Sequence, residues 1–480
     1  MMKGFALRSD LIGRDDGIGG SSRFARGPDA ADVYAWTYEN VLYPAWQRLV
    51  RSRGIEKYAE TIEETQWGTP DAIERRQVEE LRGLLQYAKE VPYYREVFQK
   101  IGFDPRDLSS RADLAQLPLL TREIIHERHD DLLHPARGAT IQKGTSGTTG
   151  RPLQFEYSND SEAWRQAMRL RGYGWAGYHQ GLPVVHYWAQ PPVVPHGLHA
   201  AKIRVDRALR REIYIDAVAQ DEASLRHAAE VIHYWRPRVI VGYAKATSLF
   251  ARFVNDQGLR TWNDIPVICG AEALLEADRA AIERAFGPAF ETYGSRETML
   301  IAAECSAHTG MHLSEENLVA EIVKDGRVVA PGETGDVVVT DLHNRAMPFL
   351  RYVNGDLASI SEQQCPCGRG LRKIERVEGR SCDTLRDPAG APIPGMLFIA
   401  LFARKDDLVS QFQVVQRPSG EVLLMVVPGH EWNDSAFAEI EGRFRDQLRG
   451  LPLEVQRCEA IPASSSGKLR PIVVERKQAA

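Results

Sequence analysis

Apolar residues in the N-terminal part of the chain recur at helical spacing. Between residues 33 and 99 they return every three or four positions, most clearly at Val78, Leu81, Leu84, Leu85 and Ala88. This period places them on one face of a helix, which predicts a helical segment packed against a core. Pro92 interrupts the run, and the aromatic residues behind it predict a short helix that docks through its rings, Tyr93, Tyr94 and Phe98.

The pattern changes after Thr140. Short runs of β-branched residues at 239–241, 267–269 and 337–339 are separated by stretches with helical spacing. Strands that alternate with helices are typical of an α/β protein. We therefore expect an α/β body behind the helical N-terminal segment.

A second change separates the C-terminal part. Glycine, proline and charged residues become frequent between residues 376 and 395, as in a linker between domains. Beyond it the pattern predicts a strand at 421–427, a strand at 453–458 and, between them, a helix whose apolar face consists of Phe437, Ile440, Phe444 and Leu448. The predicted organisation is a flexible lead-in (1–32), a large α/β domain (33–378) and a small C-terminal α+β domain (379–480).

Composition excludes several classes of protein. Of the 480 residues, 43% are hydrophobic and 26% charged, which is typical of a globular protein and not of a disordered or fibrous one. The formal net charge is -5 and basic residues form no extended tract, so we expect neither a nucleic acid nor a membrane as partner. We see no membrane-spanning apolar stretch and, before Ala30, no secretory-signal core. Six unevenly spaced cysteines form no disulfide framework, so we expect a cytoplasmic protein with reduced thiols.

The stretch with the clearest chemistry is rich in glycine and hydroxyl side chains. It reads Gly144-Thr145-Ser146-Gly147-Thr148-Thr149-Gly150-Arg151-Pro152. Its glycines allow tight turns that expose backbone N–H groups, and its hydroxyls add donors, so the segment suits phosphate oxygens. A surface turn of the same composition is the alternative, since the run lacks the Gly-Lys-Ser/Thr ending of a P-loop NTPase.

This loop and three further motifs resemble the signatures of the adenylate-forming ligases, the superfamily of acyl-CoA synthetases, luciferases and peptide-synthetase adenylation domains. The further motifs follow in the order of that superfamily: Tyr293-Gly294-Ser295-Arg296-Glu297, Tyr352-Val353-Asn354-Gly355-Asp356 and Gly467-Lys468. Four ordered matches are much less expected by chance than any single one. The resemblance implies the adenylate-forming ligase fold, in which a small C-terminal domain moves relative to a large one.

Four other segments are similar to the phenylacetate-CoA ligase branch, which includes relatives from capsular-polysaccharide clusters. They are Val91-Pro92-Tyr93-Tyr94-Arg95, Leu117-Pro118-Leu119-Leu120-Thr121-Arg122, Pro348-Phe349-Leu350-Arg351-Tyr352 and Cys365-Pro366-Cys367-Gly368-Arg369. The implied activity is ATP-dependent activation of a carboxylic acid through an acyl-adenylate, with release of pyrophosphate. The acyl group then passes to CoA.

The resemblance also implies roles for individual residues. Glu297 would hold a Mg²⁺ that bridges ATP phosphates, since a hard cation prefers carboxylate oxygens. Tyr293 would stack on adenine, and Asp356 would accept hydrogen bonds from the ribose hydroxyls. Lys468 would supply positive charge between the substrate carboxylate and the α-phosphate. Further nucleotide contacts are implied for a wider set: Thr145, Ser146, Gly147, Thr148, Thr149, Gly150, Gly270, Ala271, Glu272, Gly294, Ser295 and Arg380.

A second constellation consists of cysteine and histidine residues. Cys365 and Cys367 form a Cys-x-Cys pair, and Cys305 precedes His308 and His312. Three thiolates and one imidazole would make a closed, structural Cys₃His zinc site. The sequence does not decide which histidine takes part. Unligated thiols are the alternative, because one Cys-x-Cys is a weaker signal than paired Cys-x-x-Cys motifs.

The chain departs from its relatives at the predicted hinge. Where close relatives have Gly-Arg-x-Asp-Asp, this sequence has Gly379-Arg380-Ser381-Cys382-Asp383, so Cys382 replaces the first aspartate. The following segment, which in the family helps to form the pantetheine channel, is altered too. CoA remains the expected acceptor, and a carrier-protein thiol or an amine is the alternative.

A different class of function is also open. A degenerate relative would bind nucleotide without turnover, although the retention of Glu297, Asp356 and Lys468 disfavours it. The sequence names neither the acid nor the oligomeric state, and a homodimer is one alternative.

Overall fold

The computed structural model describes residues 30–49, 54–144, 153–188, 197–217, 221–380, 384–390, 392–394, 398, 401–402, 408–461 and 471–475. Several predicted features lie outside these residues: the lead-in up to residue 29, the phosphate-loop residues 145–152, the hinge residues 381–383 with Cys382, and Gly467 with Lys468. Their roles stay predictions.

The N-terminal part is helical, as its apolar period predicts. Its helices are α1 (Ala30–Thr37), α2 (Tyr43–Leu49), α3 (Glu56–Thr65), α4 (Pro70–Ala88) and α5 (Pro92–Ile101), with a π-helical turn at Tyr38–Leu42. Thr69 accepts a hydrogen bond from the backbone N–H of Ala72 and caps α4, while Pro92 occupies the first turn of α5. The predicted stripe on α4 and the rings on α5 are buried.

The next elements lead into the body of the protein. They are α6 (Arg122–Glu127), a hairpin of β1 (Thr140–Gly144) and β2 (Gln154–Ser158), and α7 (Asn159–Gly174). The predicted phosphate loop connects β1 to β2 in sequence, and these two strands pair antiparallel on either side of it.

Among the described residues, the largest sheet has twelve strands. They are β3 (Val184–Trp188), β4 (Glu212–Asp216), β5 (Val239–Tyr243), β6 (Val267–Gly270), β7 (Ala289–Ser295), β8 (Met299–Glu304), β9 (Met311–Leu313), β10 (Leu318–Lys324), β11 (Arg327–Val328), β12 (Gly335–Asp341), β13 (Tyr352–Ile360) and β14 (Lys373–Arg380). Their spatial order is β11-β10-β12-β13-β14-β9-β8-β7-β6-β5-β3-β4. The strands predicted from the β-branched runs are confirmed as parts of β5, β6 and β12.

The sheet has two halves that meet at β7. From β7 to β4 neighbouring strands are parallel, and from β7 to β11 they are antiparallel. Helices α8 (Gly197–Arg210), α9 (Glu222–Trp235), α10 (Ala244–Asp256) and α11 (Glu276–Ala285) connect the parallel strands. This alternation confirms the predicted α/β body.

Each half of the sheet has its own core. The antiparallel strands share a core with α4 and α5, and the parallel strands share another with α9, α10 and α11. Within the described part of the chain, no helix combines the length and the apolar character that a membrane span requires.

The C-terminal part forms two further small sheets among the described residues, a two-stranded one made of its first two strands and a four-stranded one made of its other four. Its elements are β15 (Thr384–Arg386), β16 (Pro392–Pro394), β17 (Val409–Gln416), β18 (Val422–Pro428), α12 (Asp434–Gln447), β19 (Leu453–Arg457) and β20 (Ile472–Val474). The predicted helix and both predicted strands are confirmed, with strand ends that differ by one residue. The predicted apolar face, Phe437, Ile440, Phe444 and Leu448, is buried in a core of its own with these strands. The division of the chain at residue 379 stays a prediction, and β14 runs across it to Arg380.

Two neighbouring positions on α4 test the packing of this helix. Leu84 is fully buried, so Leu84→Ala leaves a cavity and should lower the free energy of unfolding by about 2–5 kcal/mol. Gly83 is exposed, with nothing within 4 Å of an added Cβ, so Gly83→Ala should raise it by about 0.5–1 kcal/mol. Urea unfolding followed by tryptophan fluorescence measures both. A stabilising Leu84→Ala or a strongly destabilising Gly83→Ala would contradict the assigned face of the helix.

Candidate active site

The β7–β8 hairpin carries the predicted Tyr-Gly-x-x-Glu motif. A bulge lies between Tyr293 and Gly294, and a Cβ at Gly294 would lie 1.8 Å from the carbonyl oxygen of Met299. Only glycine therefore fits there. Ser295 holds the turn, because its hydroxyl accepts a hydrogen bond from the backbone N–H of Thr298 at 3.3 Å. The turn carries Glu297.

Residues from two distant motifs meet beside this hairpin. The hydroxyl of Tyr293 donates to Oδ2 of Asp356 at 2.8 Å, and Nδ2 of Asn354 donates to the same oxygen at 2.6 Å. Nδ2 of Asn354 also lies 2.9 Å from the Tyr293 hydroxyl. The structure thus brings together the residues predicted to bind adenine and ribose, and Arg380 pairs in register with Asp356.

This contact requires strong curvature of the sheet. β7 and β13 are four positions apart in the strand order. Neighbouring strands are about 4.8 Å apart, so a flat sheet would separate β7 and β13 by roughly 19 Å. The hydrogen bond between Tyr293 and Asp356 therefore shows that the antiparallel half curls back on itself.

Glu297 is almost completely buried and is held by two donors. Its side chain is 2% exposed, and its Oε1 accepts hydrogen bonds from Nη2 of Arg122 at 2.7 Å and from the hydroxyl of Tyr352 at 3.0 Å. Burial, reinforced by the Glu297 carboxylate, raises the pKa of Tyr352 and keeps its hydroxyl a donor. The negative charge predicted at this position is therefore compensated within the protein.

A buried arginine of α7 fixes the backbone of the same turn. Nη2 of Arg165 donates to Oδ2 of Asp341 at 2.7 Å, and Nη1 donates to the backbone carbonyl of Glu297. Because both Arg165 and Asp341 are buried, this ion pair has a fixed geometry. It joins α7, β12 and the turn that carries Glu297.

The predicted phosphate loop starts next to this turn. Nη1 of Arg296 donates to the backbone carbonyl of Gly144, the last residue of β1, at 3.0 Å. The Tyr-Gly-x-x-Glu hairpin and the base of the loop are therefore in direct contact.

The carboxyl ends of the parallel strands form the other side of the candidate site. Trp188 ends β3 and Tyr243 ends β5, and their ring centroids are 3.9 Å apart. Ala271, just after β6, has a positive φ of 68°, and the carboxylate of Glu272 accepts a hydrogen bond from the backbone N–H of Lys245 at 3.0 Å. Glu272 thus caps the first turn of α10. Ligands of open α/β sheets commonly bind at such edges.

The structure brings together four of the five residues predicted to bind zinc. The ligand atoms of Cys305, His312, Cys365 and Cys367 all lie within 4.8 Å of one another. The sulfurs of Cys305 and Cys365 are 3.7 Å apart, and the sulfur of Cys367 lies 3.3 Å from Nε2 of His312. Two sulfurs bound tetrahedrally to zinc at 2.3 Å would be about 3.8 Å apart, so this spacing suits zinc.

His308 lies outside this cluster. Its Nδ1 is 3.2 Å from Oε1 of Glu304, on the wall of a cavity of about 550 Å³ that Arg279 and Glu291 also line. The choice between the two histidines, which the sequence left open, therefore falls on His312 in the structure.

The protonation tendencies of the cluster residues have clear causes. Burial lowers the pKa of His312 to about 4, so its imidazole is neutral, and burial raises the pKa of Cys305 to about 12. Burial opposes ionisation of Cys365 as well, but hydrogen bonds from Thr309 and from the backbone of Cys367 lower the pKa of its thiol.

Sequence reasoning assigned no role to three residues of the candidate site. Arg122 and Asn354 lie within quoted motifs, but nothing in those motifs indicates which side chains they contact. Arg165 is one of several arginines on α7, and helical spacing does not show that it reaches Asp341 on β12.

Comparisons with known proteins agree with the motif resemblance. No family model matches the chain. Phenylacetate-coenzyme A ligase of Escherichia coli K12 is 28% identical over 342 residues, covering 66% of this chain and 72% of that protein. The ligase of the same name from Aromatoleum evansii is 28% identical over 344 residues, 68% of this chain and 74% of that protein. Protein CapK of Staphylococcus aureus is 23% identical over 80% of this chain and 84% of its own length.

Solved structures show the fold. The crystal structure of 2-hydroxyisobutyryl-CoA ligase in the postadenylation state with R3-HIB-AMP superimposes with a TM-score of 0.65, at 20% identity, over 84% of this chain and 89% of that one. The chain therefore has the two-domain fold of the adenylate-forming ligases, and its sequence is similar to those of phenylacetate-coenzyme A ligases.

Proposed function

We propose that this protein activates a small carboxylic acid with ATP and transfers the acyl group to coenzyme A. The observation that carries the proposal is the meeting of two distant motifs, in which Tyr293 hydrogen-bonds to Asp356. Glu297 lies on the same hairpin as Tyr293. The names of the relatives, phenylacetate-coenzyme A ligase and 2-hydroxyisobutyryl-CoA ligase, support the same reaction type.

The nucleotide is placed by its ribose and its phosphates. The Asp356 carboxylate accepts hydrogen bonds from the ribose hydroxyls, and Tyr293 packs on adenine. Oδ1 of Asn354 is a buried acceptor without a hydrogen-bond partner among the described residues, which also fits a site for hydroxyl groups. The loop 145–150 donates to phosphate oxygens, and its base is anchored through Arg296.

Glu297 fits the role of a Mg²⁺ ligand by its chemistry. It is a carboxylate beside the base of the phosphate loop, and Mg²⁺ prefers oxygen ligands. Bound there, Mg²⁺ would offset the charge of the ATP phosphates. Tyr352 keeps the carboxylate oriented through its hydroxyl.

The chemistry has two steps. First, a carboxylate oxygen of the acid attacks the α-phosphorus, and the bond from that phosphorus to the bridging oxygen breaks as pyrophosphate leaves. Lys468 offsets the negative charge that gathers there. Second, the thiolate sulfur of coenzyme A attacks the acyl carbon and AMP leaves. The ring pair of Trp188 and Tyr243 suits an aryl or other small organic acid as the substrate.

Adenylation and acyl transfer are tested separately, because Cys382 replaces an aspartate of the predicted hinge. We expect acid-dependent release of pyrophosphate from a panel of aryl and short aliphatic acids, and formation of acyl-CoA when CoA is added. Pyrophosphate assays with and without CoA, with acyl-CoA detected by mass, measure both steps. Adenylate without thioester would favour a carrier protein or an amine as acceptor. No pyrophosphate with any acid would favour a degenerate nucleotide-binding relative.

Lys468 is expected to act on adenylation and not on nucleotide binding. Its charge is needed where charge develops, so Lys468→Ala should reduce pyrophosphate release by about 10²–10³-fold while ATP binding stays nearly unchanged. Lys324, an exposed lysine at the end of β10, provides the matched control, Lys324→Ala. Adenylation at the wild-type rate in Lys468→Ala would refute the assigned role.

We also propose a structural zinc at Cys305, His312, Cys365 and Cys367. Nδ1 of His312 faces the backbone carbonyl of Leu371 at 3.3 Å, so a proton on Nδ1 leaves Nε2 free as a ligand. The cluster joins the segment after β8 to the segment before β14, which are 60 residues apart between Cys305 and Cys365. Zinc there would therefore tie two loops together.

The two histidines give a matched pair for testing this site. His312→Ala and the double variant Cys365→Ser/Cys367→Ser should reduce bound zinc from about one equivalent per chain to nearly none, and should lower the unfolding temperature. His308→Ala should keep its zinc, because His308 lies outside the cluster. Elemental analysis of protein purified without added zinc measures this. Wild-type protein that contains no zinc would show that these cysteines are ordinary unligated thiols.

A further inference from the structure

The backbone around Arg122 places this residue beside the residues that we propose to bind the nucleotide. Leu120 forms a parallel bridge with Tyr352, in which its N–H donates to the carbonyl of Arg351 at 3.0 Å. Thr121 then caps α6 by accepting a hydrogen bond from the backbone N–H of Ile124 at 3.4 Å. The first residue of α6 is therefore held next to the start of β13, which also carries Asp356.

The guanidinium of Arg122 lies near two carboxylates and a phenol. Its Nη2 donates to Oε1 of Glu297, which also accepts from the hydroxyl of Tyr352, and the Asp356 carboxylate is close enough to favour the guanidinium charge as well. Its influence thus extends to both the carboxylate proposed for Mg²⁺ and the carboxylate proposed for ribose. A cation in that position is suited to the phosphates that connect ribose and Mg²⁺ in the bound nucleotide.

The two partners of the ion pair differ in their freedom to move. The side chain of Arg122 is 30% exposed, whereas that of Glu297 is 2% exposed. The Glu297 carboxylate also accepts a hydrogen bond from the Tyr352 hydroxyl, and the Glu297 backbone carbonyl accepts one from Arg165. When the pair opens, Arg122 is the partner that moves.

Binding of Mg·ATP gives a reason for the pair to open. Nη2 of Arg122 lies 2.7 Å from Oε1 of Glu297, so a divalent cation on this carboxylate would face a guanidinium at close range. Like charges repel strongly at such distances. The triphosphate that arrives with the cation offers oxygens with which a guanidinium forms charge-assisted hydrogen bonds.

We propose that Arg122 is a positioning residue with two successive partners: Glu297 in the free protein and a phosphate oxygen of Mg·ATP in the complex. This inference rests on the proposed function, because it takes Glu297 as the Mg²⁺ ligand. Before binding, Arg122 neutralises a buried carboxylate that would otherwise carry an uncompensated charge. After binding, it orients the phosphates for attack at the α-phosphorus.

The test compares Arg122→Gln, Arg122→Lys and a surface control, Arg106→Gln. Arg106 pairs with Asp104 and its side chain is 81% exposed. Equilibrium binding of Mg·ATP and of adenosine is measured by calorimetry, beside kcat and KM for Mg·ATP. Arg122→Gln should weaken Mg·ATP at least about tenfold, since a hydrogen bond between charged groups is lost, and should leave adenosine binding unchanged. Arg122→Lys should restore part of the loss, and Arg106→Gln should match the wild type.

The outcomes separate this inference from the proposed reaction. Two results would overturn the phosphate contact, even if the wild type forms acyl-adenylate. One is that Arg122→Gln binds Mg·ATP as tightly as the wild type does. The other is that it loses the same factor in affinity for Mg·ATP and for adenosine. A selective loss of Mg·ATP would support the contact even if the wild type releases no pyrophosphate with any acid, because binding needs no turnover. If Arg122→Gln fails to fold, Arg122→Lys decides: weaker binding of Mg·ATP at unchanged adenosine binding supports the contact, and wild-type binding of both opposes it.

Discussion

A buried guanidinium at Arg351 organises the surroundings of Glu297. Its Nε donates to Oε2 of Glu321 at 3.1 Å, and its Nη1 donates to the backbone carbonyl of Leu117 at 2.7 Å. The Arg351 side chain is 3% exposed, so its buried charge needs hydrogen-bond and ion-pair partners. Its backbone has a positive φ of 52°, a conformation that the surrounding contacts must stabilise. The hydrogen bond from Arg351 to Leu117 holds the segment before α6 against β13. The positions of Arg122 and Tyr352 next to Glu297 follow from it.

The elements of the fold were largely predictable from sequence, because each depends on a local period. The stripe on α4, the β-branched runs of β5, β6 and β12, and the apolar face of α12 all lie where their spacing predicts. Sheet order and curvature were not predictable in this way. The contact between Tyr293 and Asp356 depends on how the antiparallel half curls, and no local period encodes that.

The candidate site was predictable from motifs but not from residue chemistry alone. The motifs identified Tyr293, Glu297 and Asp356. The donor that pairs with Glu297 is Arg122, which lies 175 residues away in the sequence. No periodic pattern in the sequence indicates a side-chain pair at that separation. The zinc ligands show the same limit. His308 is nearer to Cys305 in sequence, but the turn after β8 directs it to Glu304, and β9 brings His312 back to the cysteines instead.

The cysteine cluster and the nucleotide residues share one pair of strands. Cys305 follows Glu304 at the end of β8, and the Glu304 carboxylate accepts a hydrogen bond from the backbone N–H of Glu291 on β7 at 2.8 Å. Tyr293 lies two residues further along β7. If the proposed zinc binds at this cluster, it fixes the end of β8 and thereby also restrains the hairpin that carries Tyr293 and Glu297. Loss of the proposed zinc should accordingly lower adenylation, whereas substitution of Cys382 in the predicted hinge should affect acyl transfer.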